Sequence, residues 1–200
     1  IVLALREYAG EGYAHAEKLH VFIGEVLEEA DIEFEAVNAV AVSMGPGSYT
    51  GLRIGVSAAK GLCYALGVPM IAVNTLEVLA AAVAIDEGSI IPMIDARRME
   101  VYDAIYDSSY TPIRETIAEV IDENSFAEIA GIIHLCGDGA AKCKEVLTDK
   151  RFIFHDNVIY PSAKQLARLA AIKYKKSDTV DVAYFEPFYL KDFIAGKPSK

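Results

Sequence analysis

Seven residues, Gly45-Pro46-Gly47-Ser48-Tyr49-Thr50-Gly51, come closest in type and placement to a ligand-binding motif. They lie between an apolar run of strand length, Val37 to Ser43, and a helical stretch, Leu52 to Leu66. At such a junction glycines let the backbone approach a ligand, and the N–H groups that open a helix can hold a phosphate. Gly45, Gly47, Ser48, Thr50, Gly51 and Arg53 are therefore the candidates for contact with an anion or nucleotide. The spacing fits neither standard cradle. Gly45, Gly47 and Gly51 give G-x-G-x-x-x-G, one residue longer than the dinucleotide fingerprint, and the next strand ends at Asn74 instead of a ribose-binding acid. A Walker loop needs Lys after its last glycine, where Leu52 and Arg53 stand, and Pro46 removes one N–H. A turn that serves structure alone, with Ser48 or Thr50 capping the helix, is the favoured reading. Arg53 in the first turn opposes the helix dipole and so requires an acidic partner or an anion.

The remaining chemistry is sparse. His15 and His20 are five residues apart, which on a helix turns them about 140° from each other, whereas zinc proteases use a spacing of four. His134 and His155 have no neighbours at ligand spacing, so no metal site is expected. There is no G-x-S-x-G elbow, and Ser48 has no assignable base. Cys63 sits among apolar residues in mid-helix and reads as packing. Asp95-Ala96-Arg97-Arg98 with Glu100 reads first as a salt-bridge network, and second as an Asp95–Arg97 pair able to hold a polar ligand. Gly137-Asp138-Gly139 after a strand could approach a nucleotide but is also a common turn. No catalytic set emerges from these residues alone.

The elements that position them follow from periodicity. Ile1 to Leu5 reads as a strand, and Glu17 to Ala30 as an amphipathic helix whose stripe is Leu19, Phe22, Ile23, Val26, Leu27 and Ala30. Val37 to Ser43 reads as a strand buried on both faces. Gly67 and Pro69 stop the helix from Leu52, and Met70 to Val73 is the next strand. Thr75 is expected to cap a helix from Leu76 to Ile85. Ile90–Ile94, Val101–Tyr106 and Thr111–Ile117 read as an antiparallel meander. Ile132–Cys136 is a strand leading through Gly137 into a helix that ends at Leu147. Ser162 caps a last helix with Leu166, Leu169, Ala170 and Ile172 inward, and the aromatic tail Tyr184–Leu190 is expected to pack back on the body. The order specifies an α/β fold with a parallel sheet in an N-terminal lobe, 1–88, and a second lobe, 89–200.

Composition bounds the function. The chain has 200 residues, 53% of them apolar, and a net charge of −10, which excludes disorder and opposes a free-standing nucleic-acid binder. The charge is uneven: eight acids fall between Glu11 and Glu35, and bases dominate from Lys164 onward, a pattern read as solvated helix faces and a basic tail. Three cysteines without C-x-x-C spacing fit a reducing cytoplasm, and no apolar run is long enough to cross a membrane.

The run Gly45 to Gly55 followed by Ala59-Lys60-Gly61-Leu62 strongly resembles the TsaB (YeaZ) family. So do Asp95-Ala96-Arg97 with Glu100-Val101-Tyr102, Gly137-Asp138-Gly139-Ala140 and Pro187-Phe188-Tyr189-Leu190-Lys191. His15-Ala16-Glu17-Lys18-Leu19 is similar to the family's His-Ser-x-x-Leu helix start, with Ala16 in place of Ser. The resemblance implies a two-lobed actin or sugar-kinase type of fold with RNase-H-like ancestry. It also implies an opening strand and Asp-Thr-Ser-like hairpin; the sequence shows neither ahead of Ile1, so that N-terminal hairpin is expected to be missing from the chain. By resemblance the chain is a non-catalytic subunit in making threonylcarbamoyladenosine beside the tRNA anticodon. Its implied partners are a TsaD-like homologue and a TsaE-like ATPase, with tRNA reached only through the complex, and with homodimer and monomer both open as the form in isolation. ATP or ADP and metal are expected in the partners, and no cofactor is expected on this chain alone. The implied pairing surface lies on the first two helices, and Leu19, Phe22, Ile23, Val26, Arg53, Ser57, Lys60 and Tyr64 are its candidates. The alternative is an autonomous nucleotide-binding enzyme of the sugar-kinase class; a peptidase is weaker, since it lacks both zinc motif and nucleophile elbow.

Overall fold

The computed structural model describes residues 1–10 and 15–191, except the side chain of His15. Two short strands, β1 (Val40–Ser43) and β2 (Met70–Val73), pair in parallel with Val40 opposite Met70 and Ser43 opposite Val73. Side chains alternate across a strand, so this pair has two apolar faces. Val40, Val42 and Met70 meet Val56, Ala59 and Cys63 of helix α2 (Tyr49–Leu66). On the other face Ala39, Ala41, Ile71 and Val73 meet Leu166, Leu169 and Ala170 of helix α5 (Ala163–Lys175). The result is a three-layer unit with α2 and α5 on opposite sides. Helix α1 (His15–Glu29) packs beside α2.

Helix α3 (Thr75–Ala80) leads from β2 toward a second, five-stranded sheet. That sheet holds β3 (Ser89–Asp95), β4 (Glu100–Asp107), β5 (Pro112–Val120), β6 (Ile133–Cys136) and β7 (Phe152–Phe154), in the order β5-β4-β3-β6-β7. The β3-β4-β5 meander is antiparallel, whereas β6 and β7 join in parallel. Leu76, Leu79, Ala80 and Val83 cover one face at Ile90, Ala104 and Tyr106. The other face buries Ile91, Met93, Val101, Ile105, Ile133 and Leu135 under Ile121, Phe126, Cys143 and Leu147. The short helix α4 (Ala140–Cys143) lies on that side.

Most elements stand where the apolar periodicity places them, and the differences have physical causes. Ile1–Leu5 forms no strand among the described residues; the segment is tied instead through Arg6, which is ion-paired with Glu25 and Glu29 of α1. β1 is half-buried, with only Val42 fully covered, because one of its edges has no strand beside it among the described residues. Asn74, not Thr75, caps α3: its side chain accepts the Leu76 N–H at 2.8 Å. The same helix stops at Ala80, where Ala82 N–H and Val83 N–H turn back to the carbonyls three residues earlier. After Gly139 the helix keeps its form only to Cys143 and reaches Leu147 through turns. Ile172 is 52% exposed, so the inner face of α5 consists of Leu166, Leu169 and Ala170. β7 has no counterpart in the sequence reading; three residues carry too little alternation to register.

Candidate functional site

The glycine turn is built from its backbone outward. Ser48 caps α2, its Oγ accepting the Gly51 N–H at 3.4 Å, and Gly67 closes the helix at φ 66°. Gly45 holds φ 111°, and a Cβ on it would stand 2.7 Å from the Phe188 carbonyl oxygen, so only glycine fits. Its N–H donates to Thr75 Oγ1 at 3.1 Å, and its carbonyl accepts the Thr75 N–H at 2.9 Å. Thr75 Oγ1 also bonds Ser43 Oγ at 2.6 Å, so one hydroxyl ties β1, the turn and α3 together. The Phe188 N–H donates to the Met44 carbonyl, which seats the aromatic tail on the turn as expected. The polar groups of Gly45 are thus satisfied inside the protein, in line with the structural reading of the turn. Gly47 is half-buried and Thr50 exposed. Arg53 is exposed and lies over the Tyr49 ring, 4.2 Å from its centroid, so an aromatic face is what offsets its unfavourable place on the dipole.

Alongside the turn runs an apolar cavity of about 780 Å³. Leu19, Ile23 and Val26 of α1 line one wall, Gly55, Ala58 and Leu62 of α2 another, and Val40 and Val42 of β1 the floor. Tyr160 and Leu166 border it from the α5 side. Phe22 stands apart, half-buried with the Lys18 ammonium 5.9 Å from its ring centroid. On α2, Arg53, Ser57, Lys60 and Tyr64 fall along one stripe, since steps of three and four residues return to the same helix face. Arg53 and Ser57 are exposed and Tyr64 is 89% exposed. Lys60 is engaged: its Nζ donates to the Ala183 and Phe185 carbonyls, both at 3.0 Å. The α1–α2 pair therefore presents one open apolar wall and one exposed stripe ending in an aromatic ring.

The other sequence candidates are structural joints. Asp95 pairs with Lys142 and accepts the Arg97 N–H at 2.7 Å, and Glu100 pairs with Lys191. Burial pushes the Asp95 carboxyl up, but the Lys142 ammonium and the Arg97 N–H outweigh it and hold the group below its ordinary range. The cluster is thus a salt-bridge network, and the partner of Asp95 is Lys142 instead of the Arg97 side chain. Gly137 and Gly139 sit where a Cβ would meet the β3 backbone, at 2.1 Å from Met93 O and 2.9 Å from Ile94 C. Asp138 Oδ1 accepts the Asp95 N–H at 3.0 Å. This turn therefore fastens β6 to β3. Cys63, Cys136 and Cys143 are buried and unpaired; burial pushes the Cys136 thiol to about 12 and Cys143 to about 11, which keeps both inert.

Two polar clusters are absent from the sequence reading. His134 and His155, twenty-one residues apart, meet with Nδ1 and Nε2 at 2.9 Å because β6 and β7 run in parallel. Among the described residues no group of three or more His, Cys, Asp or Glu could hold a metal. Asp103, fully buried on β4, pairs with Arg114 of β5, which also pairs with Glu119. An aspartate inside the apolar run Val101–Tyr106 was the available signal. The comparison of His15 with His20 falls outside the described side chains.

Known proteins share this fold. The family model for tRNA N6-adenosine threonylcarbamoyltransferase, TsaD, matches residues 12–184. The tRNA threonylcarbamoyladenosine biosynthesis protein TsaB of Escherichia coli is 30% identical over 193 residues, 92% of this chain and 83% of its own length. The chain belongs to this TsaB/TsaD family. TsaB of Bacillus subtilis is 40% identical over 92 residues, covering 46% of this chain and 40% of that protein. The solved structure of YeaZ from Pseudomonas aeruginosa superposes with a TM-score of 0.80 at 25% identity, over 92% of this chain and 88% of that one. The resemblance carried by the glycine run is thereby borne out, and so is the α/β, actin-like class of fold. Residues of α1 and α2, the glycine turn and the five-stranded sheet all fall within the span that matches the TsaD model. Among the described residues no helix is long and apolar enough to cross a membrane.

Proposed function

We propose that this chain is a non-catalytic subunit of a tRNA threonylcarbamoyladenosine-forming complex, and that it activates a homologous TsaD-like subunit by pairing through α1 and α2. The carrying observation is the exposed stripe Arg53–Ser57–Tyr64 on the outer face of α2, which ends in a tyrosine ring 89% exposed. Exposed apolar and aromatic surface rimmed by polar groups marks an interaction site. Family membership supplies the reaction in which the pairing takes part. The buried thiols and internally satisfied Gly45 fit a subunit that leaves chemistry to its partner. Nucleotide and metal are assigned to the TsaD-like and TsaE-like partners, and the same α1–α2 surface would serve a homodimer when the partner is absent.

The test is size-exclusion chromatography with light scattering on this protein, alone and mixed with the TsaD-like subunit of the same organism. A 1:1 peak burying an interface of standard size, about 1,600 Å² in total, is expected. Tyr64→Glu changes an exposed side chain, so it should weaken pairing at least tenfold while leaving the melting temperature in place. Separate peaks for the wild-type proteins with all partners supplied would overturn the reading.

A further inference from the structure

Helix α5 carries a charge pattern that neither the pairing surface nor helix stability explains. Acids make up 29 of the 200 residues, yet none falls between positions 157 and 177. Lys164, Arg168, Lys175 and Lys176 are exposed, and none is ion-paired among the described residues; the neighbouring Lys173 is bonded to Asp178. On a helix that advances about 100° per residue, Lys164, Arg168 and Lys175 lie within about 40° of one another. That stripe is directly opposite Leu166, Leu169 and Ala170, the residues packed on β1 and β2. Lys175 and Lys176 suit the negative end of the helix dipole, but Lys164 stands in the first turn, where a cation is unfavourable and no acid accompanies it. Tyr174, on the same helix, is 45% exposed.

From this we infer that the outer face of α5 binds the phosphate backbone of the tRNA on which the complex acts. The inference rests on the proposed function and adds to it that this acidic chain supplies RNA contacts of its own. Unpaired Lys and Arg in a row, with an exposed aromatic ring on the same helix able to stack on an unpaired base, are the chemistry that a polyanion of this kind requires. The layer order permits it: α5 lies on the opposite side of β1 and β2 from α2, so pairing through α1 and α2 leaves this face open. A lipid surface fits less well, because an interfacial helix buries its apolar face in the bilayer and here that face is spent on the sheet.

The experiment uses the assembled pair of this chain with its TsaD-like subunit and an unmodified transcript of a tRNA that carries adenosine beside the anticodon. Affinity is measured across a salt series for the wild type and for Lys164→Gln/Arg168→Gln/Lys175→Gln; glutamine keeps helix propensity. The variant should bind about tenfold more weakly, with a log-affinity against log-salt slope shallower by about two to three and a similar loss for unrelated RNA sequences. An unchanged slope in a variant that still pairs and keeps its helicity overturns the inference and leaves the proposed function intact. Loss of binding to phosphatidylserine vesicles together with an unchanged tRNA slope would also overturn it, in favour of a membrane. If the wild-type pair binds no tRNA, this inference falls; if the two chains do not pair at all, the proposed function falls with it.

Discussion

Asp103 shows how one side chain can set a pH dependence for the fold. Its carboxyl is fully buried beside Glu119, and both face the single guanidinium of Arg114. Burial first, and the Glu119 charge second, raise it to about 7 against the pull of Arg114. Its Oδ2 has no hydrogen-bond partner, which suits a protonated acid: one guanidinium then faces one carboxylate. A carboxyl whose folded value lies above its unfolded one favours folding in its protonated form. The stability it contributes is complete below about pH 4 and is lost as the pH rises through 7. Asp103→Asn removes that titration while keeping the shape. The variant should therefore melt near the wild type at about pH 4 and gain on it until the difference levels off above about pH 7, by about 1–2 kcal/mol or a few degrees. His155 works in the opposite sense: burial and then His134 hold its imidazole below the ordinary range, so its contribution is lost as the pH falls. Because His155 is common to both proteins, the difference in melting temperature between them isolates Asp103. A difference that is flat across this range would contradict a raised carboxyl.

At the scale of elements, the joint between β1, the glycine turn and α3 depends on Thr75 Oγ1, which meets Ser43 Oγ and the Gly45 N–H. Thr75→Val keeps the volume, deletes the acceptor and leaves a buried N–H unsatisfied, so it should cost about 1–3 kcal/mol. Thr75→Ser should recover most of it, and chemical denaturation of both variants checks the point; equal losses would assign the effect to the methyl group. This joint was only half legible in the sequence. The turn announces itself by three glycines in seven residues, and the meander β3-β4-β5 by alternation between turn residues. Thr75 read as a cap because a hydroxyl before an apolar run usually is one, and Asn74, the residue that does cap, read as the end of a strand. The last turn of α3 was illegible because Ala81 and Ala82 are good helix formers, and it is tertiary packing of Val83 that ends the helix there. No local signal could bring His134 to His155, since their meeting is a property of strand order.

For the molecule as a whole, α3 decides whether the two sheets melt together. Its Leu76, Leu79 and Ala80 belong to the core on the five-stranded sheet, whereas Val78, on the same short helix, belongs to the core shared by β2 and α5. Four of its six residues thus divide between the two hydrophobic units, and the Asn74 amide adds a bond of 2.9 Å to Thr116 on β5. A helix this short has almost no stability of its own, so it exists only while both cores hold it. The unfolding of either core therefore removes support from the other, and calorimetry should show one transition with equal calorimetric and van't Hoff enthalpies. Leu79→Ala, at a fully buried position, should lower that single transition by about 2–5 kcal/mol without splitting it. Two resolved transitions, with only the five-stranded sheet weakened by the substitution, would mean that the sheets fold independently. The basic face of α5 would then ride on the smaller unit alone, and its orientation toward RNA would depend on β1 and β2 and not on the rest of the chain.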